Sequence, residues 1–140
     1  MLSNACAYGL RAMMYLARQP QMEYTAIDEV ASAVHLPKAF LRKIMNKLVR
    51  AGLVESVRGA GGGVRLLREP SNIRVYEIVL AVDGDKRFTR CMLHFDQCNS
   101  EEPCAFHAEW AKQRTMIQER LQALSLKEVA ETMRKFYLDA

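Results

Sequence analysis

KAFLRKIMNKLVRAGLVESVRGAGGG, residues 38–63, is the stretch from which the fold can be read. Phe40, Leu41, Ile44, Leu48 and Val49 recur at the spacing of a helix with one buried face. Gly52 is the residue type that ends helices in a left-handed conformation. A helix over about 37–51 is expected. Two short runs, 53–57 and 64–67, then flank Arg58-Gly59-Ala60-Gly61-Gly62-Gly63. Two strands joined by so much glycine make a hairpin whose backbone turns sharply and approaches its neighbours closely. Every charged residue between Pro37 and Val54 is basic: Lys38, Arg42, Lys43, Lys47 and Arg50.

Working outward, Ser3 can cap a helix over 3–18, with Ala5, Gly9, Ala12, Met13 and Leu16 at helical spacing and Pro20 beyond its end. Thr25 is expected to cap a second helix, 26–34, whose buried stripe is Ile27, Val30, Ala31 and Val34. His35-Leu36-Pro37 is a turn. Helix, helix, turn, helix and glycine-rich hairpin is the order of a winged helix-turn-helix, whose third helix enters the major groove of DNA. Downstream, a helix is expected over 73–82 with Ile73, Tyr76, Val79 and Val82 inward. An irregular stretch, 84–103, follows, then a long helix from about 103 to 124. Its stripe is Phe106, Trp110, Ile117, Leu121 and Leu124, with Gln113 as a polar interruption. Ser125 caps a last helix over 126–137. The long helix would span about 33 Å, more than a small DNA-binding module needs for its own core, so its stripe is assigned to a homodimer interface.

The expected fold is therefore mainly α. Residues 1–83 form a winged helix-turn-helix with a two-stranded β-wing, 84–103 a cysteine-bearing loop, and 104–140 a long dimerisation helix with a C-terminal helix. The chain has 140 residues and a net charge of +4, with half its residues hydrophobic, a globular composition. Residues 1–70 carry a net +5 and residues 71–140 a net −1, which puts an anionic partner on the first half. No apolar run is long enough to span a membrane and the first helix does not read as a signal peptide, so a cytoplasmic protein is expected.

The contact set for double-stranded operator DNA follows from this arrangement. Lys38, Ala39, Phe40, Arg42 and Lys43 lie in the first two turns of the third helix, where base edges and phosphates are met. Lys47 and Arg50, further along, suit backbone phosphates. Arg58 and Arg65 bracket the wing tip, which can enter the electronegative minor groove. Gly59, Gly61 and Gly62 let the backbone come close to phosphate.

Four cysteines occur, Cys6, Cys91, Cys98 and Cys104. In a reducing compartment, cysteines hold metals or do chemistry more often than they form disulfides. Cys6, on the first helix, reads as a small core residue. Cys91, Cys98 and Cys104 are followed by His107, which shares a helix face with Cys104. Thiolates with one histidine can hold an iron–sulfur cluster or structural zinc, and a redox thiol pair is a third option. Zinc sites usually contain a Cys-x-x-Cys turn, which is missing here, and the wider spacing suits a bulkier cluster. His94, Asp96, Glu101 and Glu102 are competing ligands.

These residues resemble the Rrf-two family of bacterial regulators, its iron–sulfur members in particular. The resemblance covers nearly the whole chain. It is carried by Leu2-Ser3 through Tyr8-Gly9-Leu10-Arg11-Ala12 and most specifically by Leu48-Val49-Arg50-Ala51-Gly52-Leu53-Val54-Glu55-Ser56-Val57-Arg58-Gly59 followed by Gly61-Gly62-Gly63. It implies a homodimer with crossing long helices and a cluster on Cys91, Cys98 and Cys104. His107 matches the extra ligand of the 2Fe-2S members. The 4Fe-4S members take an aspartate from the partner's first helix, where this chain has Ala5-Cys6-Ala7-Tyr8, so 2Fe-2S is favoured over 4Fe-4S. Two departures stand out. Arg42 occupies a position where members often carry glutamate, which changes the base preference from cytosine to guanine. The first cysteine gap is six residues where the histidine-ligated members have five.

The function expected is a transcription regulator whose operator binding follows an iron–sulfur cluster, sensing iron, redox or nitric oxide status. Zinc or reversible thiol oxidation in place of the cluster is the alternative. An iron–sulfur carrier or enzyme is the alternative of another class. No nucleophile, base and pocket stand together in the sequence as an enzyme requires, and a carrier has no use for a basic helix and wing.

Overall fold

The computed structural model describes residues 2–93, 95 and 101–132. In chain order they form α1 (Asn4–Ala17), α2 (Ile27–Val34), α3 (Lys38–Arg50), β1 (Val54–Val57), β2 (Gly63–Leu66), a 3-10 turn (Pro70–Asn72), α4 (Val75–Asp83), the single-turn α5 (Lys86–Thr89), α6 (His107–Ala123) and α7 (Leu126–Thr132). This is the mainly helical winged helix-turn-helix that the sequence predicts. Ser3 caps α1 as expected, its hydroxyl accepting from the Cys6 N–H at 3.0 Å. The third helix ends in a Schellman turn at Gly52 (φ 74°). There the Leu53 N–H reaches the Leu48 carbonyl at 3.1 Å while both side chains are buried, the contact that accompanies this turn.

Thr25 does something other than cap α2. The N-cap is Ala26, which makes no side-chain cap bond. Thr25 is instead a one-residue strand beside β2. Its N–H donates to the Val64 carbonyl and its carbonyl accepts from the Val64 N–H, both at 2.9 Å. β1 and β2 pair antiparallel with Glu55 opposite Arg65 and Val57 opposite Gly63. Val54, Val64 and Leu66 are buried, so the hairpin turns one face to the core, as strand alternation dictates.

The core is a single cluster joining α1, α2, α3, the wing base and α4, with Met13, Leu41, Leu48, Leu53, Ile73 and Ile78 among its fully buried side chains. On α3 the buried stripe is Leu41, Ile44, Met45 and Leu48. Phe40, expected on that face, lies off it, 40 % exposed, its ring edge-on to Tyr8 at 6.4 Å. Leu126 and Ala130 of α7 belong to the same core, so residues grouped by sequence with the long helix return to pack on α1. Ser125 caps α7 as expected. It accepts from the Glu128 N–H at 3.1 Å, and the Glu128 carboxylate accepts the Ser125 N–H at 2.8 Å, a capping box. The expected continuation of this helix to 137 lies outside the described residues.

Downstream of α4 two expectations are corrected. The stretch 84–103 contains α5, one turn long and too short to show a period in sequence. α6 begins at His107 rather than near 103 and has 17 residues, about 25 Å. Its inward line runs through Trp110, Arg114, Ile117, Leu121 and Leu124. Arg114 fills the place where Gln113 was read as the interruption, and Gln113 is exposed.

Gly63 is the tightest point of the wing. Its φ is +147°, and a Cβ there would lie 2.1 Å from the Thr25 carbonyl oxygen. Gly63→Ala should therefore cost at least about 2 kcal/mol through the lost bridge and the strained backbone. Urea denaturation measures this, and a loss below about 1 kcal/mol would mean that the Thr25 bridge does not hold the wing.

Candidate functional site

The first site is the outward side of α3 and the wing. Lys38 and Arg42 on α3 and Arg58, Gly59 and Gly62 on the wing line one cleft of about 550 Å³, with Asn46 and Ser56 between them. Ala39, Lys43, Arg50 and Gly61 are exposed. Lys38 pairs with Asp28 at 2.9 Å, both largely exposed, a surface pair of little net worth that an anion can displace. Asn46 and Ser56 were not singled out in the sequence. The signal for Asn46 was available, since it stands four residues after Arg42 on the same helix face, and a carboxamide there suits adenine edges.

Two basic residues expected to meet DNA are engaged elsewhere. Lys47 turns away from the cleft and donates to the Val82 carbonyl at 3.1 Å. Arg65 bridges Glu55 at 2.8 Å, donates to the Met22 carbonyl at 3.3 Å and lies over the Tyr24 ring at 4.6 Å. Phe40 joins Tyr8, on whose ring Arg11 stacks at 5.5 Å.

The second site is built around the start of α6. Cys91 Sγ and Cys104 Sγ lie 3.8 Å apart, although 13 residues separate them in the chain. A disulfide would need about 2.05 Å. Two sulfurs at about 2.3 Å from one tetrahedral metal atom lie about 3.8 Å from each other, so the pair fits two positions on one iron of a cluster or on one zinc. The Leu93 N–H points at Cys91 Sγ from 3.4 Å. This donor, with the Cys104 thiol, the Phe95 N–H and the nearby Arg114 charge, holds the Cys91 thiol below its ordinary value against the effect of desolvation. His107 opens α6. Among the described residues no three of His, Cys, Asp and Glu gather into a metal-holding group. Cys98, with His94 and Asp96, lies outside the described residues. The Arg90 carbonyl, next to Cys91, accepts from Trp110 Nε1 and from an Arg114 terminal nitrogen, each at 2.9 Å. Two side chains of α6 thus fix the backbone that carries the first cysteine.

Of the stripe assigned to dimerisation, Leu121 and Leu124 lean on the protomer's own core, and Trp110 and Ile117 line a small gap together with Leu2 and Phe88. Phe106 (48 % exposed) and Met116 (54 %) stay outward. Among the described residues no helix is long and apolar enough to cross a membrane.

A sequence profile described as Rrf2, iron-dependent transcriptional regulator, matches residues 2–132. The chain belongs to the Rrf2 family of transcriptional regulators. Among solved structures it is similar to CymR, described as the global cysteine regulator of B. subtilis, with 27 % identity, a TM-score of 0.78 and coverage of 94 % of this chain and 97 % of that one. It is similar to T. potens IscR, with 28 % identity, a TM-score of 0.74 and coverage of 97 % and 90 %. The regulator NsrR of Shouchella clausii (strain KSM-K16) is 31 % identical over 90 residues, 64 % of this chain and 60 % of that protein. These Rrf2 relatives are transcription regulators, not enzymes.

Cys6 stands apart from the second site. It is fully buried, and burial first, then the Asp83 carboxylate, push its thiol up to about 12. The thiolate is the reactive form, so Cys6 should resist maleimide at neutral pH in the folded protein and react only in denaturant. Peptide mass spectrometry checks this, and rapid labelling of native protein at Cys6 would contradict the core assignment.

Proposed function

We propose that this Rrf2-family chain binds operator DNA as a homodimer through α3 and the wing, and that an iron–sulfur cluster held by Cys91, Cys98, Cys104 and His107 governs that binding. The observation that carries the reading is the Cys91–Cys104 pair, two free thiols brought together at a metal-compatible spacing by the start of α6. A bound cluster would supply a redox-active, oxygen- and nitric-oxide-sensitive group, and the histidine ligand favours the 2Fe-2S type by resemblance. The chain's own part is to hold the ligands in place. Trp110 and Arg114 anchor Arg90, and the Leu93 N–H favours the anionic form of Cys91. Two wings and two copies of α3 would meet half-sites about 34–36 Å apart, so a small change in the angle between α6 and the DNA-binding core would misplace one of them. Linkage then requires that operator DNA and cluster favour each other's retention to the same degree.

A second reading replaces the cluster with zinc or a thiol switch. The same 3.8 Å spacing favours it, because it suits one zinc equally well, as does the lowered Cys91 thiol. Staphylococcus aureus CymR, a similar structure, is described in an oxidized form.

The deciding experiment is purification without oxygen, with a visible spectrum and iron, sulfide and zinc counts. The cluster reading expects about two irons and two sulfides per chain, lost in Cys98→Ala, with operator affinity changing between loaded and stripped dimer. A colourless protein with stoichiometric zinc, or with neither metal, transfers the sensing role to the second reading. DNA binding is tested separately. If each dimer neutralises about six to eight phosphates, log affinity should fall against log salt with a slope of about −5 to −7. A slope near zero would remove the DNA interface.

A further inference from the structure

Arg65 is the basic residue of the wing whose surroundings differ most from those of a DNA contact. It sits on β2 directly opposite Glu55, two residues from the last pair before the turn. Its neighbours Val64 and Leu66 point into the core, so Arg65 and Glu55 share the outer face of the hairpin. That face is covered by the segment leading into α2. The Arg65 guanidinium bridges Glu55, donates to the Met22 carbonyl and sits over the Tyr24 ring, 4.6 Å from its centre. Arg65 and then Tyr24 hydrogen-bond the Glu55 carboxyl and hold it below its ordinary range. Arg58, by contrast, is exposed at the tip.

A two-stranded hairpin with four residues per strand is marginal by itself. This one is fastened at its base by the Thr25–Val64 bridge on the backbone and by the Arg65 clamp on the outer face. We propose that Arg65 is a positioning residue of the wing: clamped between Glu55, Tyr24 and the Met22 carbonyl, it fixes the angle at which the hairpin presents Arg58 and does not itself contact phosphate. With its Nε on Glu55 and one terminal nitrogen on the Met22 carbonyl, the guanidinium has to give up these bonds to swing out toward DNA. The Arg65–Glu55 pair is also neutral as a unit, so it displaces no counterion.

The inference rests on the reading of α3 and the wing as the DNA interface, and the two can fail separately. The probe is a short fluorescent duplex selected by the wild-type dimer from a random-sequence pool, with affinity measured across a salt series. Arg58→Ala should weaken binding and flatten the salt slope by about one per wing. Arg65→Gln should weaken binding about fivefold with the slope unchanged, and most of that loss should vanish in the Arg58→Ala background, since the two act through one contact. Glu55→Thr, which keeps a strand-forming residue, gives opposite signs under the two views. Freeing Arg65 and removing an acid should tighten binding if Arg65 meets phosphate, and should weaken it if Arg65 positions the wing. Circular dichroism melting of each variant confirms that the dimer is folded. Tighter or unchanged binding by Glu55→Thr, or a flattened slope in Arg65→Gln, overturns the proposal. A wild-type protein with no salt-dependent duplex binding would instead overturn the underlying DNA reading, and that result is visible before any variant is made.

Discussion

The two hydrogen bonds between Thr25 and Val64 tie the helix-turn-helix to the wing. Both residues are buried, Thr25 at 6 % and Val64 at 0 % exposure, so unpaired peptide groups there would cost about 1–3 kcal/mol each. The bridge joins the chain entering α2 to the second strand of the wing. α2, α3 and the hairpin therefore form one body, and the cleft between α3 and the wing has a fixed width. Gly63 is the residue that permits so close a crossing. The Schellman turn at Gly52 adds the other constraint, because it sets the direction in which the chain leaves α3 for β1. Between them, two glycines and one bridge orient the wing relative to the helix it accompanies.

The other half is organised by two acceptors that each collect several donors. Asp83, at the end of α4, takes the Ser3 N–H at 3.0 Å and the Ser3 hydroxyl, as well as Arg87 at 2.6 Å. Its side chain is only 5 % exposed, and a carboxylate so placed is tolerable only when its oxygens are occupied. The Arg90 carbonyl takes Trp110 and Arg114. α5 is strung between these two points, so the backbone leading to Cys91 is fixed at both ends, by α1 and α4 on one side and by α6 on the other.

How much of this was legible in the sequence depends on whether a feature has a period. α3, the wing and the stop at Gly52 were readable because apolar spacing and glycine carry a direct backbone meaning. The Thr25 bridge was not, since one residue of strand has no alternation to detect and a threonine before a helix looks like a cap. Lys47 and Arg65 illustrate a different limit. Positive charge in a sequence has a position but no direction, and both residues sat in stretches where basic character as a whole does face outward. Their partners within the protein, the Val82 carbonyl for Lys47 and Glu55 with Tyr24 for Arg65, are set by tertiary packing. On α6 the apolar stripe looked broken because Arg114 occupies an inward position, its alkyl stem lying along apolar surface while its head finds a carbonyl. The spacing of the cysteines brought Cys91 and Cys104 correctly into one neighbourhood, whereas their separation to the ångström depended on the Arg90 anchor, which no motif announces.

These contacts also form a continuous route between the two sites. From Cys91 the chain passes through Arg90, gripped by α6, to α5, and Arg87 of α5 holds Asp83. One residue before Asp83, the Val82 carbonyl accepts the ammonium of Lys47 on α3. Two anchor points and one hydrogen bond thus separate the thiol pair from the proposed recognition helix. Contiguity alone does not make a switch, because a rigid path transmits nothing unless one of its elements has two arrangements. The shortest helix on this route is α5, four residues long with no fully buried side chain and held mainly through Arg87 and Phe88. On the proposed function, a change of ligation at Cys91 would act by loosening or seating that turn. Breaking hydrogen bonds worth about 1 kcal/mol each bounds the effect at a few such bonds, which is the size of typical coupling energies of about 1–3 kcal/mol between linked sites. A larger response to the cysteine site would require the two protomers to change together, so that each half-site contributes its own share of the difference.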